Sequence, residues 1–246
     1  MNSIVIGDVH GCGEELEELL EFLLERDPSV RIRLVGDLLT KGPEPARVVR
    51  VLDRLRASGV DVASVCGNHD LRLFTAFVRL GIGRPLASLR GTERATIERL
   101  IATGGLASAR RLMSETVDRT RCTAGAATVV HAGIDPVRGL QGTSDHELVH
   151  RKARSGRRHW WKDYDGDDGL IVVGHKPMRS PLRVTRDHLP IVVNVDTGCV
   201  NGGRLSAYHV EEDAFISVES RQSRTRRRGM RLESPDSLDR PVGLAG

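Results

Sequence analysis

SIVIGDVHG (3–11), RIRLVGDLLTKGP (31–43) and VDVASVCGNHD (60–70) repeat one pattern. In each, a short run rich in β-branched residues stops at a glycine, and a polar, ligand-type residue follows at once. Runs of that length and composition, bounded by turn residues, read as buried strands. Between the first two lies a segment, 13–25, with leucines at 16, 19, 20, 23 and 24 and acids gathered early. The 3.6-residue spacing and the acidic first turn predict a helix, which Pro28 ends. Between the second and third, Val48, Val49, Leu52 and Leu55 place an apolar face on a helix over 45–58. Strand, loop and helix therefore alternate through the first 70 residues. That order predicts a parallel α/β layer with its chemistry at the carboxyl ends of the strands.

Further along, the pattern changes. From 71 to 120 the periodicity is helical, in pieces over 71–80, 92–102 and 105–118 broken by glycines at 81, 83, 91, 104 and 105. This reads as a helical insertion. Strand patterns return at 128–132, 170–174, 191–195, 205–210 and 215–218, the last two spaced for an antiparallel hairpin. Residues 221–246 lack apolar periodicity and read as a disordered tail. The expected organisation is one domain over 1–220 followed by that tail. The net charge is +4, and the tail holds seven Arg against three acids, so residues 1–220 are neutral overall. Any nucleic-acid contact would belong to the basic tail, and an aromatic content of 3% speaks against a base-stacking platform. Four cysteines without a CxxC pair suit reduced thiols in the cytoplasm. No apolar run reaches the roughly 20 residues of a membrane helix.

Six short segments set ligand-type residues just after a predicted strand: GDVHG (7–11), GDLLTKG (36–42), GNHD (67–70), VVHAG (129–133), VVGH (172–175) and NVDTG (194–198). One Asp or His after a strand is ordinary loop chemistry: such an Asp is usually a helix cap, and a lone His there is seldom a ligand. Six such segments in one chain collect Asp8, His10, Asp37, Asn68, His69, His131, His175 and Asp196. Carboxylate oxygens and imidazole nitrogens suit divalent transition metals. Two such ions about 4 Å apart can clamp the attacking and leaving oxygens of an in-line displacement.

In order and wording these motifs resemble the calcineurin-like metallophosphoesterases, in the phosphoprotein-phosphatase branch, over residues 4 to about 219. GNHDLRLF (67–74) is similar to ApaH-type symmetrical diadenosine tetraphosphatases, and GDLLTKGP (36–43) to ApaH-like phosphatases. DTGCVNGGRLSA (196–207) is similar to the phosphatase module of bacterial polynucleotide kinase-phosphatase. The resemblance implies a four-layer α/β/β/α sandwich with two divalent cations, manganese first, with nickel, cobalt, zinc or iron as alternatives. It implies Asp8 and His10 on one metal, Asp37 bridging, and Asn68, His131 and His175 on the other. His69 is then the general acid, with Asp70 beside it as the expected polarising partner. Lys41, Arg157, Arg158 and Asp196 are the expected substrate contacts, and a metal-bridged hydroxide the expected nucleophile. Phosphoproteins, nucleotides, dinucleoside tetraphosphates and polyphosphate are the candidate substrates.

Two departures stand out. Thr40 occupies the position where protein phosphatases carry Asp, and Lys41 replaces an Arg, giving up bidentate phosphate recognition. Thr40 alone supports a rival reading, a catalytically weak phosphate-binding regulatory protein. Trp160 and Trp161 read as packing residues rather than a stacking site. Cys12, Cys66 and Cys199 read as small packed residues.

Overall fold

The computed structural model describes residues 2–151 and 159–223. Arg157, Arg158 and the chain from 224 onward lie outside the described residues. In chain order the elements are β1 (Ser3–Ile6), α1 (Gly13–Arg26), β2 (Arg31–Leu34), α2 (Pro45–Ala57) and β3 (Val62–Ser64). There follow α3 (Asn68–Gly81), α4 (Gly91–Ala102), α5 (Leu106–Thr116), β4 (Arg121–Ala124) and β5 (Ala127–Val130). Then come α6 (Gly139–Gly142), α7 (Asp145–His150), β6 (Ile171–Val173), β7 (Leu182–Arg186) and β8 (Leu189–Asn194). The series closes with β9 (Asp196–Thr197), β10 (Arg204–His209) and β11 (Ala214–Glu219).

The strands form two sheets. One has the order β11-β10-β1-β2-β3, with β9 also on β10; the other has the order β4-β5-β6-β8-β7. β1, β2 and β3 run parallel, as their sequence predicts, and β10–β11 is the expected antiparallel hairpin. In the second sheet β5, β6 and β8 are parallel, with β4 and β7 antiparallel at the edges. β4 and β7 have no counterpart in the sequence reading. RCTA and LRVTR are largely solvent-facing edge strands whose alternation covers only two apolar residues each, too short a pattern to mark a strand.

The layers follow from side chains alternating across each strand. Ile4 and Ile6 of β1, with Ile32 and Leu34 of β2, face the leucine stripe of α1 and the valine-rich face of α2. Val5 turns the other way and meets Val129, Val172 and Val193 of the second sheet. Val130, Ile171, Val173 and Val192 point outward again, under Leu148 of α7, Trp160, Trp161 and Tyr164. The result is helices, sheet, sheet and a thinner helical layer, the expected α/β/β/α order. The two tryptophans pack, as expected. Leu73, Phe77, Ile97, Leu100, Leu112 and Met113 of α3, α4 and α5 join the same core as α1 and α2. The tail expected from 221 begins with anchored residues: the Arg221 N–H donates to Glu15 Oε1 at 2.8 Å. Among the described residues no helix is long and apolar enough to cross a membrane.

One buried charge joins the sheets. Arg33, flanked in β2 by inward-facing Ile32 and Leu34, lies between the layers. Its Nε donates to the Thr123 carbonyl of β4 at 3.1 Å, and its guanidinium grips Asp61 with both terminal nitrogens, at 2.9 and 3.0 Å.

Candidate metal centre

Each parallel strand delivers one loop to the same end of the sandwich. Asp8 and His10 follow β1, and Asp37 and Lys41 follow β2. Asn68, His69 and Asp70 form the first turn of α3, directly after β3. From the second sheet, His131 follows β5, His175 follows β6 and Asp196 follows β8. Backbone hydrogen bonds lock the first two loops together: His10 N–H donates to Asp37 O at 2.8 Å and Gly42 N–H to His10 O at 2.7 Å. The sheets are tied at the site itself, because His131 Nδ1 lies 2.7 Å from the Val35 carbonyl and His175 N–H donates to Asp8 Oδ1 at 3.1 Å.

Asp37 stands at the centre. Its Oδ2 is 3.4 Å from His10 Nε2, and its Oδ1 is 3.7 Å from His131 Nε2. One carboxylate thus turns one oxygen to each of two donor groups. On one side Asp8, His10 and Asp37 bring ligand atoms within 4.8 Å of one another. On the other, Asn68 Oδ1, His131 Nε2 and His175 Nδ1 form a triangle with sides of 3.0, 3.1 and 3.2 Å. The carbonyl contact claims the His131 Nδ1 hydrogen, which leaves Nε2 a bare acceptor. A neutral His175 brings at most one hydrogen to this triangle. Three converging acceptors short of hydrogens are what a cation satisfies.

The charges say the same. Asp8, Asp37 and Asp196 are all buried. Burial, then the negative charges of Asp196 and Asp37, raise the Asp8 carboxyl well above its ordinary range. Burial holds Asp37 at about 6 and Asp196 at about 7. Lys41 is the nearby counter-charge, its Nζ 2.6 Å from His10 Nε2, where it presents a positive charge to a ligand nitrogen. Burial and then Lys41 push the His10 imidazole well below its usual value, which favours a basic nitrogen there that accepts from Lys41 until a cation takes its place. The mixed Asp, His and Asn donor set fits two divalent cations of the transition series.

Backbone strain concentrates here. His10, Asp37, Lys41 and His175 all have φ between 49 and 74°, a left-handed conformation that non-glycine residues seldom adopt. Among the described residues the other three such cases are hairpin-turn residues, Asp187, His188 and Asp213. Strain held at four site residues requires surroundings that over-determine it. Two glycines supply the room. A Cβ at Gly67 would fall 2.1 Å from Asp37 Oδ1, and one at Gly174 2.1 Å from Asp8 Oδ1.

Asp70 departs from expectation. Its carboxylate does not polarise His69: Oδ2 accepts from Asp37 N–H at 2.7 Å and Gly67 N–H at 3.0 Å, and Oδ1 from Leu38 N–H at 2.8 Å. It holds the bridging loop in place. His69 is half-buried, with Nδ1 lacking a partner and its ring edge-on to His10 at 5.1 Å between centroids. Burial, then Lys41, lowers its imidazole to about 3. Thr40 is fully buried and its Oγ1 sits 3.4 Å from His10 Nδ1, beside a proposed ligand rather than the proposed acid. His159 lies outside the six motifs. It stacks on Trp161 at 4.4 Å and lies 2.9 Å from Nζ of Lys176, the residue after His175. Only the position of Lys176 beside VVGH could have drawn attention to this pair.

The sequence profile described as calcineurin-like phosphoesterase matches residues 1–191. The chain belongs to this family. Among its relatives is the asymmetrical bis(5'-nucleosyl)-tetraphosphatase PrpE of Oceanobacillus iheyensis, 31% identical over 89% of this chain and 92% of that protein. The PrpE of Halalkalibacterium halodurans is also 31% identical, over 89% and 94%. A solved chain assigned as a diadenosine tetraphosphatase superposes with a TM-score of 0.68 at 26% identity, covering 90% of this chain and 95% of that one. A Saccharomyces cerevisiae serine/threonine phosphatase similar to human PP5 shares the fold, with a TM-score of 0.53 at 13% identity over 91% and 80%. This calcineurin-like phosphoesterase is a metal-dependent hydrolase, as its motifs imply.

Proposed function

We propose that this phosphoesterase hydrolyses a phosphoanhydride bond of a nucleoside polyphosphate, in the manner of a dinucleoside tetraphosphatase. The observation that carries the reaction is Asp37, whose two oxygens face two separate donor groups. Asp8 and His10 would hold one cation, Asn68, His131 and His175 the other, with Asp37 between them and Asp196 beside Asp8. Once bound, the cations supply Lewis acidity to the phosphoryl oxygens and lower the pKa of a coordinated water. Manganese is the first cation to try.

The chain's own residues supply the rest. Lys41, at the mouth of the site, holds a phosphoryl oxygen as a point charge. His69 hands a proton to the leaving oxygen. An anionic phosphate beside its ring favours the protonated form, against the burial that lowers it in the free protein. Two features support a nucleotide over a phosphoprotein. The relatives matched over most of the chain are tetraphosphatases, and Thr40 stands where protein phosphatases carry an acid. The four free cysteines agree with a cytoplasmic enzyme.

The test strips the protein with chelator and restores manganese, nickel, cobalt, zinc or magnesium one at a time. Diadenosine tetraphosphate, a phosphopeptide and polyphosphate are then offered in parallel, with Asp37→Asn as control. ATP with AMP as products marks uneven cleavage, and two ADP marks symmetrical cleavage. Preferred turnover of the phosphopeptide would overturn the substrate class. Failure of every substrate with two bound cations per chain would overturn the catalytic reading.

A further inference from the structure

A second ligand cluster lies within the helix-facing core, separate from the carboxylates and imidazoles above. Cys12, Glu15 and Cys199 are 0%, 0% and 1% exposed. Their ligand atoms all lie within 4.8 Å of one another. Glu15 Oε1 is satisfied, by Arg221 N–H at 2.8 Å and Gln222 Nε2 at 3.2 Å. Its Oε2 is buried and has no partner. A buried carboxylate oxygen left without a strong donor is costly, and the two thiols beside it are weak donors that relieve little of that cost.

We propose that Cys12, Cys199 and Glu15 bind a third, structural cation of the zinc type. Two thiolates and a carboxylate are a donor set for a borderline-soft divalent ion. With Zn–S bonds of about 2.3 Å, two sulfurs on one tetrahedral ion sit about 3.8 Å apart, which is compatible with ligand atoms gathered within 4.8 Å of one another. Glu15 Oε2 then gains its missing partner while Oε1 keeps both of its own. Cys12 caps α1 two residues after His10, and Cys199 follows Asp196 by three residues. Glu15 also anchors Arg221 and Gln222, where the chain leaves β11. One ion here would therefore clamp together the first metal-site loop, the Asp196 loop and the end of the hairpin. Its role is to hold those loops in place, and it touches no substrate.

Cobalt titration of the full chain tests this. Thiolate-bound cobalt absorbs strongly in the near ultraviolet through ligand-to-metal charge transfer, and the catalytic cluster contains no thiol. The band therefore reports a thiolate site and not the catalytic cluster, is independent of turnover, and is assigned among the four cysteines by the Cys199 variant. The expected result is a charge-transfer band that accounts for one cobalt per chain. It should persist in Asp37→Asn, disappear in Cys199→Ala, and need more cobalt in Glu15→Gln. Absence of the band from the wild-type chain at every cobalt loading would overturn the proposal, whether or not the cysteine variants fold. A band that survives Cys199→Ala would overturn it too.

Discussion

Replacing Asp70 by Asn separates two roles for that carboxylate. In the structure its oxygens accept three backbone N–H groups, from Asp37, Leu38 and Gly67. Asn keeps the shape and one acceptor oxygen, but sets an NH2 group against at least one of those donors. The loss is one charge-assisted bond, about 1.5–3 kcal/mol, together with a stranded buried donor worth about 1–3 kcal/mol. Part of this is offset. Burial and repulsion from Asp37 hold the Asp70 carboxyl at about 7, so a neutral side chain relieves some electrostatic cost. A net destabilisation of about 2–4 kcal/mol remains, readable as a lowered urea midpoint of the chelated protein. Asp37 adopts a left-handed φ of 55°, and Asp70 binds the N–H of that same residue. Loosening the support of a ligand typically costs 10–100-fold in metal affinity, and calorimetric titration with manganese should show a loss in that range. If Asp70 instead polarised His69, the substitution would shift the alkaline limb of the pH–kcat profile, where the general acid loses its proton, and leave metal affinity intact. Wild-type stability and metal affinity in Asp70→Asn would refute the positioning role.

Three further outcomes are expected. Burial holds the Asp37 and Asp196 carboxyls at about 6 and 7, and Asp8 well above the usual range, in the metal-free protein. Below those values the carboxyls carry protons that a cation must displace. Metal affinity should therefore fall as pH drops from 8 towards 5, by about tenfold per unit for each proton released. His131, held at about 3 by burial, is already neutral across that window, and burial lowers His10 in the same direction. Titrations in buffers of different ionisation enthalpy count the protons, and a count of zero would contradict the electrostatics. Asp61→Ala should cost about 1–3 kcal/mol, discounted because Asp61 is half exposed, by leaving the Arg33 guanidinium between the sheets without its carboxylate. Arg33→Met in the same chain should recover much of the loss, and a chemical-denaturation double-mutant cycle checks that coupling. Gly174→Ala, whose Cβ would fall 2.1 Å from Asp8 Oδ1 and 2.5 Å from Val35 Cγ2, should weaken cation binding by at least about tenfold; unchanged affinity would mean that the loop relaxes freely.

Why Asp70 misleads a reader of the sequence follows from what a sequence records. The ligand atoms are legible because the chemistry demands particular side chains. Asp8, His10, Asp37, Asn68, His131 and His175 each follow a strand whose apolar run marks its end, and the structure brings all six together. The parallel core is legible for a related reason: Val5 and Val129 turn to one face while Ile4, Ile6 and Val130 turn to others. Backbone amides carry no such mark. The Asp37 and Leu38 N–H groups that claim Asp70 lie more than thirty residues away in sequence, and any carboxylate of suitable reach would serve them. Adjacency to His69 was therefore a poor guide, since successive residues of a helical turn point about 100° apart. The same blindness covers Arg33, read as one letter of RIRLV although its charge spans both sheets, and the edge strands β4 and β7, whose two apolar residues each make too short a pattern to mark a strand. What a sequence of this kind conceals is thus the support, and the support decides whether a bridging carboxylate in a strained conformation stays where two cations need it.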